Sequence, residues 1–266
     1  MSGPILLEIK KNVALVTLNQ PKKLNALSAE QYFELAQVLR KIADMPQISV
    51  TILTGTGRYF SAGADVVVSQ GTTPQGEDSR KFWLRSFSIN NIEVTKAFYE
   101  HPKILIAALN GPVVGLSAAT PSLTAPFLSA TEKTFLLTPF TSLGLVAEGG
   151  ASYMFAKRLG LSKANEALLL SKRISAQELL ECGFVNKIFP EEGFRELVLE
   201  FVDDLIGAHL NHESMLDLKK LIRGVFRDGL EQANVREAFV GLEKFMGGVP
   251  QKEFARIAAG QKKHKL

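Results

Sequence analysis

Short unbroken apolar runs alternate along this chain with longer stretches in which apolar residues recur at helical spacing. Leu6–Ile9 and Val13–Leu18 read as a strand pair turning at Lys11–Asn12, and Val50–Leu53 as the next strand. Between them, Leu35, Val38, Leu39 and Ile42 mark one face of a helix. Ser28, with Gln31 three residues on, gives that helix a capping-box start, and Pro46 marks its end. A polar loop, Gln70–Asp78, precedes a long helix from Ser79 to Glu100, closed by His101–Pro102. Ile104–Leu109 and Lys133–Leu137 are further strands, and Ala151–Leu159 is a helix ending at Gly160. Helices headed by Ser162 and Ser175 follow, the second with a box Ser175-x-x-Glu178 and a terminal Gly183; Val185–Ile188 is the last strand. From Gly193 the pattern is helical throughout, with breaks near Gly207–Asn211, Gly229 and Gly247–Pro250. The chain therefore divides into a mixed α/β region, 1–192, and a helical region, 193–266.

Composition narrows what such a chain does. With 266 residues, 46% of them hydrophobic, it can bury a large core without covalent staples. Cys182 is the only cysteine, which leaves no intrachain disulfide and no thiolate metal cluster. The net charge of +4 gathers at Lys262–Lys263–His264–Lys265, with no basic helix or interleaved aromatics to bind nucleic acid. The uncharged stretch Ile104–Thr131 holds Asn110, glycines and prolines, and so reads as buried interior, not a membrane span. Ile5–Leu7 is too short for the core of a signal peptide. His209 and His212 lack a third metal ligand, and Ser117 lacks a His/Asp arrangement for nucleophilic catalysis.

Three stretches carry candidate chemistry. The strand Ile104–Leu109 breaks at Asn110–Gly111–Pro112 and passes through Val113–Val114–Gly115 into Leu116–Ser117–Ala118–Ala119, a small-residue segment able to open a helix. A helix start exposes N–H groups that no helical carbonyl accepts, and its dipole favours negative charge there. Phe60–Ser61–Ala62–Gly63–Ala64–Asp65 repeats the arrangement after another strand. One N–H from each turn makes an oxyanion hole of the kind that holds a thioester enolate. Ala147–Glu148–Gly149–Gly150 adds a carboxylate among small residues, with room for a substrate beside it.

With Leu24–Asn25–Ala26–Leu27, these stretches make the chain resemble the crotonase (enoyl-CoA hydratase/isomerase) superfamily, most closely the fungal peroxisomal Δ3,Δ2-enoyl-CoA isomerases. The resemblance implies an α/β crotonase spiral of ββα repeats followed by a helical trimerisation region, and a homotrimer or dimer of trimers. It implies peptide N–H groups of Ala64 and Leu116 as enolate donors, since neither side chain has a polar atom. Glu148 is then the base that takes a proton from C2 of a 3-enoyl-CoA and returns it at C4. A base for such work should be partly buried, with Phe140, Leu145 and Val146 as its apolar neighbours. Asn25, Ala26 and Leu27, with Ala62, Gly63, Ala64, Asp65 and Val66, should line the path of the acyl-CoA beside Gly115 and Leu116, with Lys22 or Lys23 near phosphates. Phe82, Trp83, Phe87 and Phe98 either wall the acyl tail or fill the core. No metal and no separate cofactor is implied, CoA being part of the substrate. The terminal His264–Lys265–Leu266 resembles a Ser-Lys-Leu peroxisomal address and implies a peroxisomal import receptor as partner.

Departures from the family pattern discriminate among reactions. The two glutamates of the hydratases align with Ala119 and Phe140, so water addition lacks its acid/base groups. After Ala119 the chain reads Thr120–Pro121–Ser122–Leu123–Thr124–Ala125–Pro126, with Ala125 where an acid is usual. Pro126 must end or kink the helix that presents Leu116. Another crotonase reaction, hydration or dienoyl-CoA isomerisation, and a non-catalytic acyl-CoA-binding subunit are the alternatives.

Overall fold

A computed structural model of the protein describes residues 3–65, 76–207 and 209–262. The first apolar runs pair as their alternation predicts. Ile5–Lys10 (β1) lies antiparallel to Val13–Leu18 (β2), with Ile5 opposite Leu18 and Lys10 opposite Val13. Helix α1, Ala29–Ala43, opens on the expected box, Ser28 and Gln31 each capping the other's backbone. Val50–Gly55 (β3) then joins β2 in parallel. The long helix is present but not uniform. It runs as α2 (Ser79–Trp83), one π-type turn (Leu84–Ser88) and α3 (Ile89–Tyr99). At that turn Ile89 N–H bonds back to Leu84 O, and such wide turns concentrate at functional sites.

Ile104–Leu109 (β4) and Val113–Val114 (β5) lead into α4, Leu116–Thr124. Phe127–Thr131 (β6), Phe135–Leu137 (β7), α5 (Ala151–Arg158), α6 (Leu161–Leu169), Ile174–Ser175 (β8), α7 (Ala176–Glu181) and Lys187–Phe189 (β9) complete the mixed region. Beyond it come α8 (Phe194–Leu205), α9 (His212–Met246) and α10 (Val249–Ala258). The main sheet has the order β1-β2-β3-β4-β6-β9, parallel from β2 onward; β5-β7-β8 form a small second sheet. Parallel strands covered on both faces need apolar residues at every position, which is why β2 and β4 read as unbroken runs. Ala14, Val16, Leu105 and Ala107 face α1 and α3, while Val13, Leu15, Ile104 and Ile106 face α8 through Phe194, Val198 and Val202. The fold is the α/β crotonase spiral.

Several expectations are corrected. Phe127–Thr131, to which the apolar pattern assigns no element, is a strand of the main sheet, because Ala125–Pro126 breaks α4 and frees the apolar run behind it. Pro121 sits inside α4, where it removes the N–H that would bond to Ser117 O. The last strand lies at Lys187–Phe189, not Val185–Ile188, and α6 starts at Leu161 with Gly160 as its N-cap, ahead of Ser162. Gly229 does not break the helix: α9 runs through it, and a Cβ there would meet the Tyr153 ring at 2.5 Å. Local breaker chemistry yields to a close helix contact. Among the described residues no helix is long and apolar enough to cross a membrane.

Candidate active site

The two glycine turns meet. Leu27 pairs with Ala64 as in a parallel ladder, its N–H donating to Gly63 O and its carbonyl accepting from Asp65 N–H, both at 2.9 Å. Alternation along an extended chain therefore points the intervening Ala64 N–H the other way. On that side Ala64 lines a cavity of about 170 Å³. Ser61 pairs with Val113, and Gly115 N–H donates to Leu137 O at 2.9 Å. Gly115, at φ +62°, then turns the chain into α4. Leu116 takes the first helical position, where an N–H has no helical acceptor. A Cβ on Gly63 would stand 2.9 Å from Val114 O and 3.7 Å from Gly115 Cα. Only glycine lets the turns approach this closely. Ala64 and Leu116 thus border one cavity, at the positive end of α4.

The opposite wall is built from side chains. Glu148, 8% exposed, accepts a hydrogen bond from Asn91 Nδ2 at 3.0 Å. Burial pushes its carboxyl up to about 7; the Asn91 bond opposes that rise and the charge of Glu237 adds to it. Glu237, from α9, accepts the N–H groups of Gly150 and Ser152, both at 2.7 Å. It thereby caps α5, whose own N-cap residue, Gly150, has no side chain to do so. The remaining wall is mostly apolar, with Phe87, Leu143, Leu145, Phe245 and Phe254 prominent. Phe245 stacks on Trp83 and tilts against Phe87, each at 4.6 Å between ring centroids.

Of the residues singled out from sequence, Leu27, Ala62, Gly63, Ala64, Gly115, Leu116, Phe140 and Glu148 line this cavity. Asn25 does not. Fully buried at φ +55°, it donates to Thr56 O at 2.9 Å and Tyr59 O at 2.8 Å and accepts Gln20 N–H at 2.8 Å. It braces the loop behind the site. Ala26, whose carbonyl accepts from Gln20 Nε2 at 3.1 Å, is likewise outside the cavity. Asp65 is ion-paired with Lys23 at 3.1 Å, so that lysine is engaged at the mouth of the turn. Val66 and the His264–Lys265–Leu266 tail lie outside the described residues. Leu145 lines the cavity as expected, but Val146 does not; Phe98 is core and Trp83 is buried behind Phe245.

Sequence reading missed Tyr32, Asn91, Glu237, Phe245 and Phe254. Tyr32 was within reach, standing three and seven residues before Leu35 and Leu39 on the apolar stripe of α1. The others come from helices distant in sequence and carry no local signal.

Known proteins match this arrangement along its length. The family model described as enoyl-CoA hydratase/isomerase matches residues 8–239. A Pyricularia oryzae protein named Delta(3,5)-Delta(2,4)-dienoyl-CoA isomerase is 52% identical over 100% of both chains. The Saccharomyces cerevisiae 3,2-trans-enoyl-CoA isomerase is 34% identical over 95% of this chain and 93% of its own. The crystal structure of an enoyl-CoA hydratase/isomerase from Pseudoalteromonas atlantica superposes with a TM-score of 0.86 at 25% identity, covering 99% of this chain and 100% of that one. With its buried carboxylate facing two peptide N–H turns on this α/β spiral, the chain belongs to the enoyl-CoA hydratase/isomerase family of the crotonase superfamily, among its enoyl-CoA isomerases.

Proposed function

We propose that the protein is a Δ3,Δ2-enoyl-CoA isomerase working through Glu148 alone. The observation that carries this reading is that Glu148 is the single carboxylate among the described residues lining the cavity. The thioester oxygen sits between the Ala64 and Leu116 N–H groups, which lower the energy of the enolate. Ionised Glu148 removes a C2 proton, and the electron pair spreads over the thioester oxygen and C4. The same carboxyl, now protonated, gives the proton to C4 and leaves the 2-ene conjugated with the carbonyl. Asn91 steadies the carboxyl during both transfers, and the apolar wall excludes water. Acyl-CoA supplies all the reacting atoms, and no cofactor takes part.

Dienoyl isomerisation is the second reading, favoured by the name of the 52% identical relative. It returns the proton at C6, farther along the acyl chain, and among the described residues the cavity lining includes Ser86 and Asn90 but no second acid. Two assays separate the readings: 3-hexenoyl-CoA to 2-hexenoyl-CoA at the absorbance of the conjugated thioester, and loss of a 3,5-dienoyl-CoA. Faster turnover of the monoene supports the proposal, and turnover of the diene alone overturns it.

The assembly is proposed to be a homotrimer or a dimer of trimers. The first half of α9 supports this by exposing an apolar face through Leu218, Leu221, Ile222 and Val225, the last 79% exposed. Mass by light scattering, before and after Leu221→Glu, tests it. Peroxisomal import is proposed from the His264–Lys265–Leu266 tail, and its deletion should leave a tagged protein in the cytosol.

A further inference from the structure

Three hydroxyls lie buried directly behind the paired N–H turns. Ser61, Ser117 and Tyr32 are 0%, 3% and 5% exposed and come from the loop after β3, the first turn of α4, and α1. Ser61 Oγ accepts Gly63 N–H at 3.1 Å and lies in donor geometry to Asn25 O at 2.8 Å and to Ser117 Oγ at 2.9 Å. Ser117 Oγ is in turn 2.7 Å from the Tyr32 hydroxyl. Three apolar groups would pack the same volume without hydrogen-bonding demands. Buried hydroxyls instead cost free energy unless each finds a partner, as all three do here.

Their positions in sequence matter. Gly63, whose N–H Ser61 holds, directly precedes Ala64, and Ser117 directly follows Leu116. The Ser61–Ser117 contact therefore spans the two turns, with Ser117 one residue after Leu116 and Ser61 three residues before Ala64, holding the N–H of the intervening Gly63. Elsewhere the turns are joined through backbone, Val114 N–H to Ser61 O at 2.9 Å, which sets their spacing. The hydroxyl chain adds a restraint on rotation of the first turn of α4. Pro121 has already removed one helical bond from that turn, at the Ser117 carbonyl. Tyr32 anchors the far end from α1 and itself borders the cavity.

We propose that Tyr32, Ser117 and Ser61 are positioning residues of the oxyanion hole, a hydroxyl chain that locks the Ala64 and Leu116 N–H groups onto one point. The proposal rests on the isomerase reading. A neutral thioester carbonyl tolerates a misaligned donor better than an enolate oxygen does, so the chain acts on the transition state more than on ground-state binding.

Ser117→Ala removes the central hydroxyl, and Tyr32→Phe, which keeps the ring, is a second variant should the first fail to fold. Three quantities are measured for each: kcat with 3-hexenoyl-CoA, the dissociation constant of saturated hexanoyl-CoA, and the enolate absorbance of bound acetoacetyl-CoA. Both variants should lose about 10- to 100-fold in kcat and most of the enolate absorbance, while hexanoyl-CoA binding moves less than about twofold. Unchanged kcat and absorbance overturn the proposal. So does a parallel weakening of both ligands, which marks a structural role only. A wild-type protein that binds hexanoyl-CoA but forms no enolate overturns the reading of the hole itself, and the proposal with it.

Discussion

The two walls of the cavity are made by different means. One is backbone: two glycine turns held by ladder hydrogen bonds to Leu27 and Leu137 and joined by the bond from Val114 N–H to Ser61 O, with positions that only main-chain geometry dictates. The other is side chain: Glu148, Asn91 and a ring of phenylalanines, gathered from α3, α9, α10 and the loop before α5. The first wall waits for charge on oxygen and does not change during the reaction. The second carries the proton and shapes the acyl tail. A rigid donor pair and a titratable acid thus sit on separate structural supports. Changes to one should alter enolate stability, and changes to the other proton transfer and chain preference.

The sharpest break is on the side-chain wall. Glu148→Gln keeps an acceptor for Asn91 but removes the base, and kcat should fall by about 10³-fold or more while hexanoyl-CoA still binds. Calorimetric titration alongside the isomerase assay checks both parts. On the backbone wall, Gly63→Ala places a Cβ 2.9 Å from Val114 O at φ +88°. The turns must separate, and kcat should drop about 10²-fold, with enolate absorbance lost in step.

Proton affinity distinguishes the walls next. Because Glu148 must be ionised to act, kcat/KM should rise with pH through about 7. Glu237 contributes negative charge to that raised value, so Glu237→Gln should move the acid limb to lower pH. Stability follows the same group with a definite sign. Its folded pKa, about 7, lies above the ordinary 4.5, so the stability tied to protonated Glu148 is complete below 4.5 and lost as pH rises to 7. Glu148→Gln should therefore be the more stable protein at pH 8, by up to about 3 kcal/mol, and unchanged near pH 4. Urea melts at the two pH values read this out. The smallest effect belongs to the aromatic ring. Phe245→Ala removes a ring packed on both Trp83 and Phe87 and should shift preference toward longer acyl chains by a few fold in kcat/KM.

The same division explains what the sequence disclosed. Backbone chemistry leaves local marks: the Gly63 and Gly115 turns, the Ser28–Gln31 box and the unbroken runs of β2 and β4 are each readable within a dozen residues. Glu148 stood out because its neighbours are small. Its partner Asn91 is 57 residues away, and Glu237 lies 87 residues from the Gly150 N–H it caps. Nothing local marks either as belonging to the site. Asn25 misled for the converse reason. It stands inside a family motif, yet its amide serves Thr56 and Tyr59 from behind the cavity. Gly229, pressed against the Tyr153 ring inside an unbroken helix, shows tertiary packing overriding a local rule.

The central claim is that one buried carboxyl carries the same proton from C2 to C4. Isomerisation of 3-hexenoyl-CoA deuterated at C2, in ordinary water, tests it directly by mass spectrometry and NMR of the product. The account predicts deuterium at C4 in a substantial share of product molecules and turnover at least about 10³-fold slower in Glu148→Gln. Product with solvent hydrogen alone at C4, or near-wild-type turnover in Glu148→Gln, would contradict a single-glutamate shuttle.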